Sequence, residues 1–241
     1  GLDYERAALG TLKVYRTQAE LDTAALFAER CRDFDIRYSI QDATGVMALE
    51  PALGPVASRL SGGIHFPDDV SGDAHRFCRA LAEHAQAAGV ELRFETTAER
   101  VLLAGGAVDG LMVDGAVERA DAVVLAAASH SPRLAASAGL SVPVQPIKGY
   151  SLTVPMQHWR VKPRLPVIDE HFHAAVCPLG DQLRVAGTAE FAGFDSALTP
   201  SRIANLYALL RHIYPDEGGE VDARQCSEWT GLRPMSPDGV G

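Results

Sequence analysis

The chain has 241 residues, enough to bury a substantial core as one large domain or two modest ones. Its composition, 47% hydrophobic and 22% charged, is ordinary for a globular protein, and no apolar run approaches the roughly 20 residues needed to cross a bilayer. A net charge of −9 with no run of Lys or Arg excludes the basic footprint that nucleic acid demands.

Leu12–Arg16 alternates like a short strand. Thr17 then offers an N-cap three residues before Glu20, and Leu21, Ala24, Ala25, Leu26 and Ala28 follow at helical spacing, so a helix is expected to about Arg32. A shorter helix is expected from Asp42 to Glu50, stopped by Pro51. Ile64-His65-Phe66 reads as a strand with glycines at its entry. Asp73 caps an amphipathic helix with Phe77, Leu81, Ala85 and Ala88 on one face, ended by Gly89. Val90–Phe94 is expected to be the strand that follows it.

Arg100–Leu103, Val108–Val113 and Val117–Arg119 are separated by Gly105-Gly106 and Asp114-Gly115, which are hairpin signals. Ala122–Ala127 is a continuous apolar run of the kind covered on both faces in a parallel sheet. Ser129–Ala138 is expected to be helical. Beyond Val142 the pattern changes to strands at Val144–Val154, Pro166–Ile168, Ala174–Cys177, Leu183–Ala186 and Val221–Trp229. One amphipathic helix, Pro200–Ile213, interrupts them. The chain therefore combines an α/β part with an α+β part whose sheet is mostly antiparallel.

The four cysteines (Cys31, Cys78, Cys177, Cys226) are scattered without metal-ligand spacing, as expected for reduced thiols in a cytoplasmic protein. His171 and His173 would share one face of a strand, but no further ligand lies near them in sequence and no metal site is expected.

Several segments go further. Gly10-Thr11-Leu12-Lys13-Val14-Tyr15-Arg16-Thr17, Glu50-Pro51-Ala52-Leu53, Gly62-Gly63-Ile64-His65-Phe66-Pro67-Asp68-Asp69, Lys148-Gly149-Tyr150-Ser151-Leu152-Thr153 and Trp229-Thr230-Gly231-Leu232-Arg233-Pro234-Met235 resemble, in order, the D-amino-acid dehydrogenases. These belong to the D-amino-acid oxidase and glycine oxidase-like flavoproteins. The resemblance covers nearly all of the chain. It implies a partial glutathione-reductase-like FAD domain joined to an antiparallel-sheet substrate domain. The expected division is residues 1–70 and 141–230 to the substrate domain, 71–140 to the FAD domain, and 231–241 returning toward the FAD domain.

The same resemblance implies the activity: FAD-dependent oxidative deamination of D-amino acids to 2-oxo acids and ammonia, by hydride transfer from Cα to flavin N5. The family's Gly-x-Gly-x-x-Gly, which sets a helix N-terminus on the FAD pyrophosphate, belongs upstream of Gly1. Its final Gly-His-Gly segment belongs beyond Gly241. Both ends thus look cut, and the isolated chain is expected not to retain FAD. The implied partners are a D-amino acid and a quinone or other electron acceptor. A cytoplasmic location follows, with peripheral contact to the inner membrane left open.

By resemblance Arg233 holds the substrate α-carboxylate, a task for which a planar guanidinium suits better than an ammonium. The competing reading has Arg233 stacked on Trp229 or paired with an acid. Tyr150 either lines the substrate cavity or is a sheet residue whose hydroxyl meets solvent. His173 either contacts substrate or is an exposed strand residue, and Lys148 is either solvated or near the flavin edge. Ala98 matches the position that meets the adenine. Ala126, Ala127, Ala128 and Ser129 end the apolar strand where small residues admit the dinucleotide, with Gly231 and Leu232 beside them. Ala128 stands where the family usually has glycine. Phe172, Phe191 and Phe194 read as core or cavity-wall aromatics, and His130 as a surface helix position. Two alternatives stay open: a glycine- or sarcosine-oxidase-like amine oxidase, and a truncated, non-catalytic fragment.

Overall fold

The computed structural model describes residues 1–239, so the last two positions of the expected 231–241 segment lie outside the described residues. The chain divides into two compact units. The first comprises Gly1–His84, Tyr150–Thr188 and Ala197–Thr230; the second comprises Ala85–Gly149, Ala189–Ser196 and Gly231–Gly241.

In the first unit, β1 (Thr11–Tyr15) leads into α1 (Gln18–Cys31) through a complete capping box. The Thr17 hydroxyl accepts from the Glu20 N–H, and the Glu20 carboxylate accepts from the Thr17 N–H. A short strand not visible in the sequence pattern, β2 (Ser39–Asp42), precedes α2 (Ala43–Leu49), which Asp42 caps through the Gly45 N–H. Pro51 ends α2 as expected, but the chain then winds into a 3-10 segment, Pro51–Arg59, before β3 (Gly62–Phe66).

α3 (Ala74–Ala87) starts where the Asp73 carboxylate accepts from the Arg76 N–H, and Tyr4 meets Phe77 edge-on at 5.2 Å. The remaining strands are β7 (Gln145–Pro155), β8 (Val167–Asp169), β9 (Ala174–Leu179), β10 (Gln182–Glu190) and β11 (Ser227–Met235). The eight-stranded sheet has the order β11-β7-β10-β9-β8-β1-β3-β2. The β1–β8 pair is parallel, whereas β1–β3, β2–β3, β8–β9 and β9–β10 are antiparallel.

α5 (Pro200–Ile213) sets Ile203, Leu206, Leu209, Leu210 and Ile213 into the main core with Leu12, Leu53, Leu152, Val167 and Leu183. Each such side chain contributes about 1.5–3 kcal/mol on burial. A further short helix, α6 (Pro215–Gly218), follows α5.

In the second unit, β4 (Ala98–Ala104), β5 (Ala107–Val113) and β6 (Ala116–Arg119) form a three-stranded antiparallel sheet. Both hairpin turns place two central residues at positive φ, Gly105 and Gly106 at 59° and 84°, Asp114 and Gly115 at 47° and 78°. That is the geometry their sequences favour. α4 (Ser131–Ser137) follows a 3-10 turn at Ala128–His130 and is tied to β4 by the Ser137 hydroxyl, which accepts from the Val101 N–H at 2.8 Å.

Two expected strands do not form. Val90–Phe94 and Ala122–Ala127 join no ladder among the described residues, and Phe94 and Val124 are exposed. A parallel strand exists only through its neighbours' hydrogen bonds, so an apolar run without partners is not a strand, whatever its composition.

Candidate carboxylate and cofactor site

Arg233 lies near the end of β11, in the second unit, and is exposed. Its guanidinium rests against the backbone of Gly149 in β7, the strand next to β11. A Cβ at position 149 would run into Nη2 and stand 3.3 Å from Cζ, so only glycine leaves the guanidinium where it is. Among the described residues the guanidinium has no hydrogen bond or ion pair, so the expected alternative of pairing with an acid is not realised.

The residues after Arg233 wall a cavity of about 530 Å³, with Pro234 and Met235 on one side and Leu125, Ala126, Ala128 and Val144 on the other. Ala128 has φ 47°, in the left-handed region where glycine is at ease and a Cβ is not. The position that the family pattern gives to glycine thus has the backbone of a glycine. Ser129 is buried and its hydroxyl has no hydrogen-bond partner among the described residues. A wall of small residues fits close approach of a dinucleotide cofactor, although Ser129 itself is not among the residues that line it. Ala127, Gly231 and Leu232 are partly buried neighbours of these residues in sequence. Ala98 opens β4 opposite Val113 and does not line this cavity.

Lys148 is not solvated. It is fully buried and donates to the Asp195 carboxylate at 3.0 Å. On the same loop Phe194 stacks on His130, ring centres 4.8 Å apart. Segment 191–196 is therefore fastened to Lys148 and to the residue after Ser129. Phe191 and Phe194 are exposed, against the expectation of core or cavity-wall aromatics, because the loop carrying them lies outside any strand or helix. The Lys148–Asp195 pair had no sequence signal. The run Pro146–Leu152 is buried at every position, so the alternation that usually marks a lysine as solvent-facing fails there.

The two other candidates belong to the first unit. Tyr150 is buried in the main core and its hydroxyl donates to Thr199 Oγ1 at 2.9 Å, so it does not reach solvent. His171 and His173 occupy the turn between β8 and β9, not a strand face, and His173 has φ 48°. The Asp169 carboxylate accepts from the His171 N–H at 3.1 Å, and this side-chain cap turns the chain before β9 can begin. His173 lines an open cavity of about 800 Å³ with Lys13, Tyr15, Glu20 and Glu170. Burial, then the Glu170 carboxylate, pushes the Tyr15 phenol up to about 12. No cluster of three metal-binding side chains occurs among the described residues.

A large mixed sheet, a small three-stranded antiparallel sheet and a dinucleotide-like edge are the parts of an FAD-dependent oxidoreductase, and the chain belongs to the DAO family of FAD dependent oxidoreductases, whose pattern matches residues 1–241. Among its relatives, D-amino acid dehydrogenase from Bradyrhizobium diazoefficiens is 41% identical over 239 residues, 99% of this chain and 56% of that protein. The chain thus spans a little over half the length of that relative. Glycine oxidase from Geobacillus kaustophilus superposes with a TM-score of 0.88 at 25% identity, over 100% of this chain and 62% of that one. L-proline dehydrogenase from P. horikoshii shares the fold, with a TM-score of 0.84 at 18% identity over 98% of this chain and 63% of that one. No helix among the described residues is long and apolar enough to cross a membrane.

Proposed function

We propose that this chain supplies the substrate-carboxylate site and part of the cofactor site of an enzyme that oxidatively deaminates D-amino acids to 2-oxo acids and ammonia. The observation that carries the reading is Arg233, a guanidinium with no protein acceptor among the described residues, laid on the bare backbone of Gly149. A fork of N–H donors grips a carboxylate through both oxygens, which fixes the direction of the attached Cα. Met235 and Pro234 continue from it into the wall shared with Ala126 and Ala128. Carboxylate and cofactor would therefore meet one short stretch of chain.

Ala126, Ala127, Ala128, Ser129, Gly231 and Leu232 are the residues that would hold FAD, with Ala98 assigned to its adenine by family likeness alone. Bound FAD would supply the hydride acceptor. Lys148, held by Asp195, keeps the strand under Arg233 in place. Tyr150 acts through the sheet, not by touching substrate, since its hydroxyl is already bonded to Thr199. His173 is assigned a substrate-side role on family likeness.

Preference for D-amino acids over glycine rests on the likeness to D-amino acid dehydrogenase. The similarity in structure to glycine oxidase favours a second reading, an amine oxidase that passes electrons to dioxygen. A quinone acceptor and contact with the inner membrane belong to the first reading. The test uses the full-length protein carrying this sequence, assayed with small apolar D-amino acids and with glycine. Oxidation of D-alanine with a quinone analogue and without peroxide supports the first reading; peroxide release from glycine alone supports the second. Arg233→Lys should raise KM about 10- to 100-fold. An unchanged KM would remove Arg233 from the site.

A further inference from the structure

Segment 191–196, in the second unit, is shaped by its own sequence into a turn that aims two consecutive side chains. Gly193 has φ 58°, and the Asp195 N–H donates to the Ala192 carbonyl at 3.2 Å, which closes a tight reversal. A turn residue at positive φ favours glycine, although a Cβ at this one would meet nothing within 4 Å. The backbone, not a lack of space, therefore asks for glycine here. The reversal presents Phe194 to His130, with ring centres 4.8 Å apart, and Asp195 to the Lys148 ammonium at 3.0 Å.

Each grip holds a different part of the proposed site. The His130 N–H donates to the Ala127 carbonyl at 2.9 Å, and the Ser131 N–H donates to that of Ala128. Phe194 thus packs on the 3-10 turn that carries Ala128, in the small-residue wall. At the other end, Lys148 precedes Gly149 on β7, and successive residues of a strand point to opposite faces. Asp195 therefore holds β7 from behind, while the Arg233 guanidinium lies on its front, where a Cβ of Gly149 would be. The Lys148 ammonium is fully buried, and a buried charge robbed of its counter-ion is strongly destabilising, so the carboxylate is tied to it. Phe194 and Asp195 are consecutive, with Cα atoms about 3.8 Å apart, and within the closed turn neither grip shifts without moving the other.

We infer that segment 191–196 is a strap that couples the cofactor edge to the seat of Arg233, with Phe194 and Asp195 as positioning residues. Neither residue lines the cavity between Ala126 and Met235, so each acts through the residue it grips. The strap rests on the proposed function, because it acts on the groups that reading assigns to cofactor and carboxylate. It adds a linkage between them: loosening the strap at either end weakens the hold on both FAD and substrate, and either one bound steadies the strap for the other.

The experiment uses the full-length flavoprotein and reads two quantities: the FAD dissociation constant, by flavin fluorescence on the apoprotein, and KM against kcat for D-alanine. Phe194→Ala removes the grip on the cofactor side, and Asp195→Asn removes the charge on the strand side at nearly constant shape. Each is expected to raise both the FAD dissociation constant and KM about 3- to 10-fold, with kcat held within about twofold. Asp195→Glu should restore most of the loss. Asp195→Asn leaves a buried ammonium without its carboxylate and can lose its fold, so Gly193→Ala is the second route. It strains the turn, removes no contact, and should give the same paired rise. A rise confined to one quantity in each variant, or no rise in either, overturns the strap. A parent that binds FAD without oxidising D-alanine fails the proposed function alone, and the strap is then decided by whether Asp195→Asn and Gly193→Ala weaken FAD.

Discussion

Arg233 and Gly149 are 84 positions apart in the sequence, and the guanidinium of one lies where the side chain of the other would be. The missing Cβ thus gives the arginine its position. Gly149→Ala should displace the guanidinium while leaving the chemistry of every group that meets substrate unchanged. We expect KM to rise about tenfold, with Tm lowered only slightly, because about 1–2 kcal/mol of bidentate contact is lost. Steady-state kinetics on the full-length protein checks this, and an unaltered KM would show that the close approach is incidental.

Ala128→Gly tests the left-handed residue at the cofactor edge. A Cβ at φ 47° costs roughly 1 kcal/mol that glycine does not incur. The variant should therefore be as stable as the parent or more so, by up to about 1 kcal/mol, despite glycine's greater freedom in the unfolded chain. Thermal unfolding measures it, and a loss of more than about 1 kcal/mol would mean that the alanine methyl packs favourably.

Glu50 is fully buried, and its carboxylate accepts from the N–H groups of Ala52, Arg164 and Leu165 at 3.1, 2.6 and 3.1 Å. Burial raises its pKa although all three bonds lower it. Glu50→Ala strands three donors, two of them buried, and should cost about 3–5 kcal/mol. Denaturant unfolding would show it as a lower midpoint at constant slope. A loss below about 1 kcal/mol would require water to take the carboxylate's place.

His212 makes a prediction about pH. Its folded pKa is depressed, by burial first and then by Arg16 and Arg59, with His171 adding to them and Asp169 opposing. Near pH 7 both states leave the imidazole neutral and nothing is lost. As pH falls below the unfolded value of about 6.5, the unfolded chain takes up the proton first, so stability drops toward the lower folded value. Comparison with His212→Gln isolates this slope, since the variant should lack it. Equal slopes for the two proteins between pH 7 and 5 would contradict the assignment.

Much of the fold was legible because its signals are local. Thr17 and Glu20 cap α1 as their spacing implies, and Gly105-Gly106 and Asp114-Gly115 turn the two hairpins. What was not legible depends on distant partners. Val90–Phe94 and Ala122–Ala127 carry strand composition but have no ladder, which no window of sequence can report. Among the candidate site residues, Ala126 and Ala128 line one cavity with Pro234 and Met235, the two residues that follow Arg233, whereas the Tyr150 hydroxyl is bonded to Thr199. The solvated alternative for Lys148 fails because its strand is covered on both faces, and Asp195 is its partner from 47 positions away.

The first unit is assembled from three stretches of chain, and its core joins Leu12 to Tyr214. A ribosome would therefore have to release nearly the whole of this sequence before that core could close, and Leu12, Val14 and Leu53 would wait meanwhile without their eventual neighbours. By contrast, β4, β5 and β6 pair with strands next to them in sequence and can form as soon as they emerge. The small sheet is thus in a position to fold before the core of the first unit closes, while Leu12, Val14 and Leu53, made ahead of it, are buried after it.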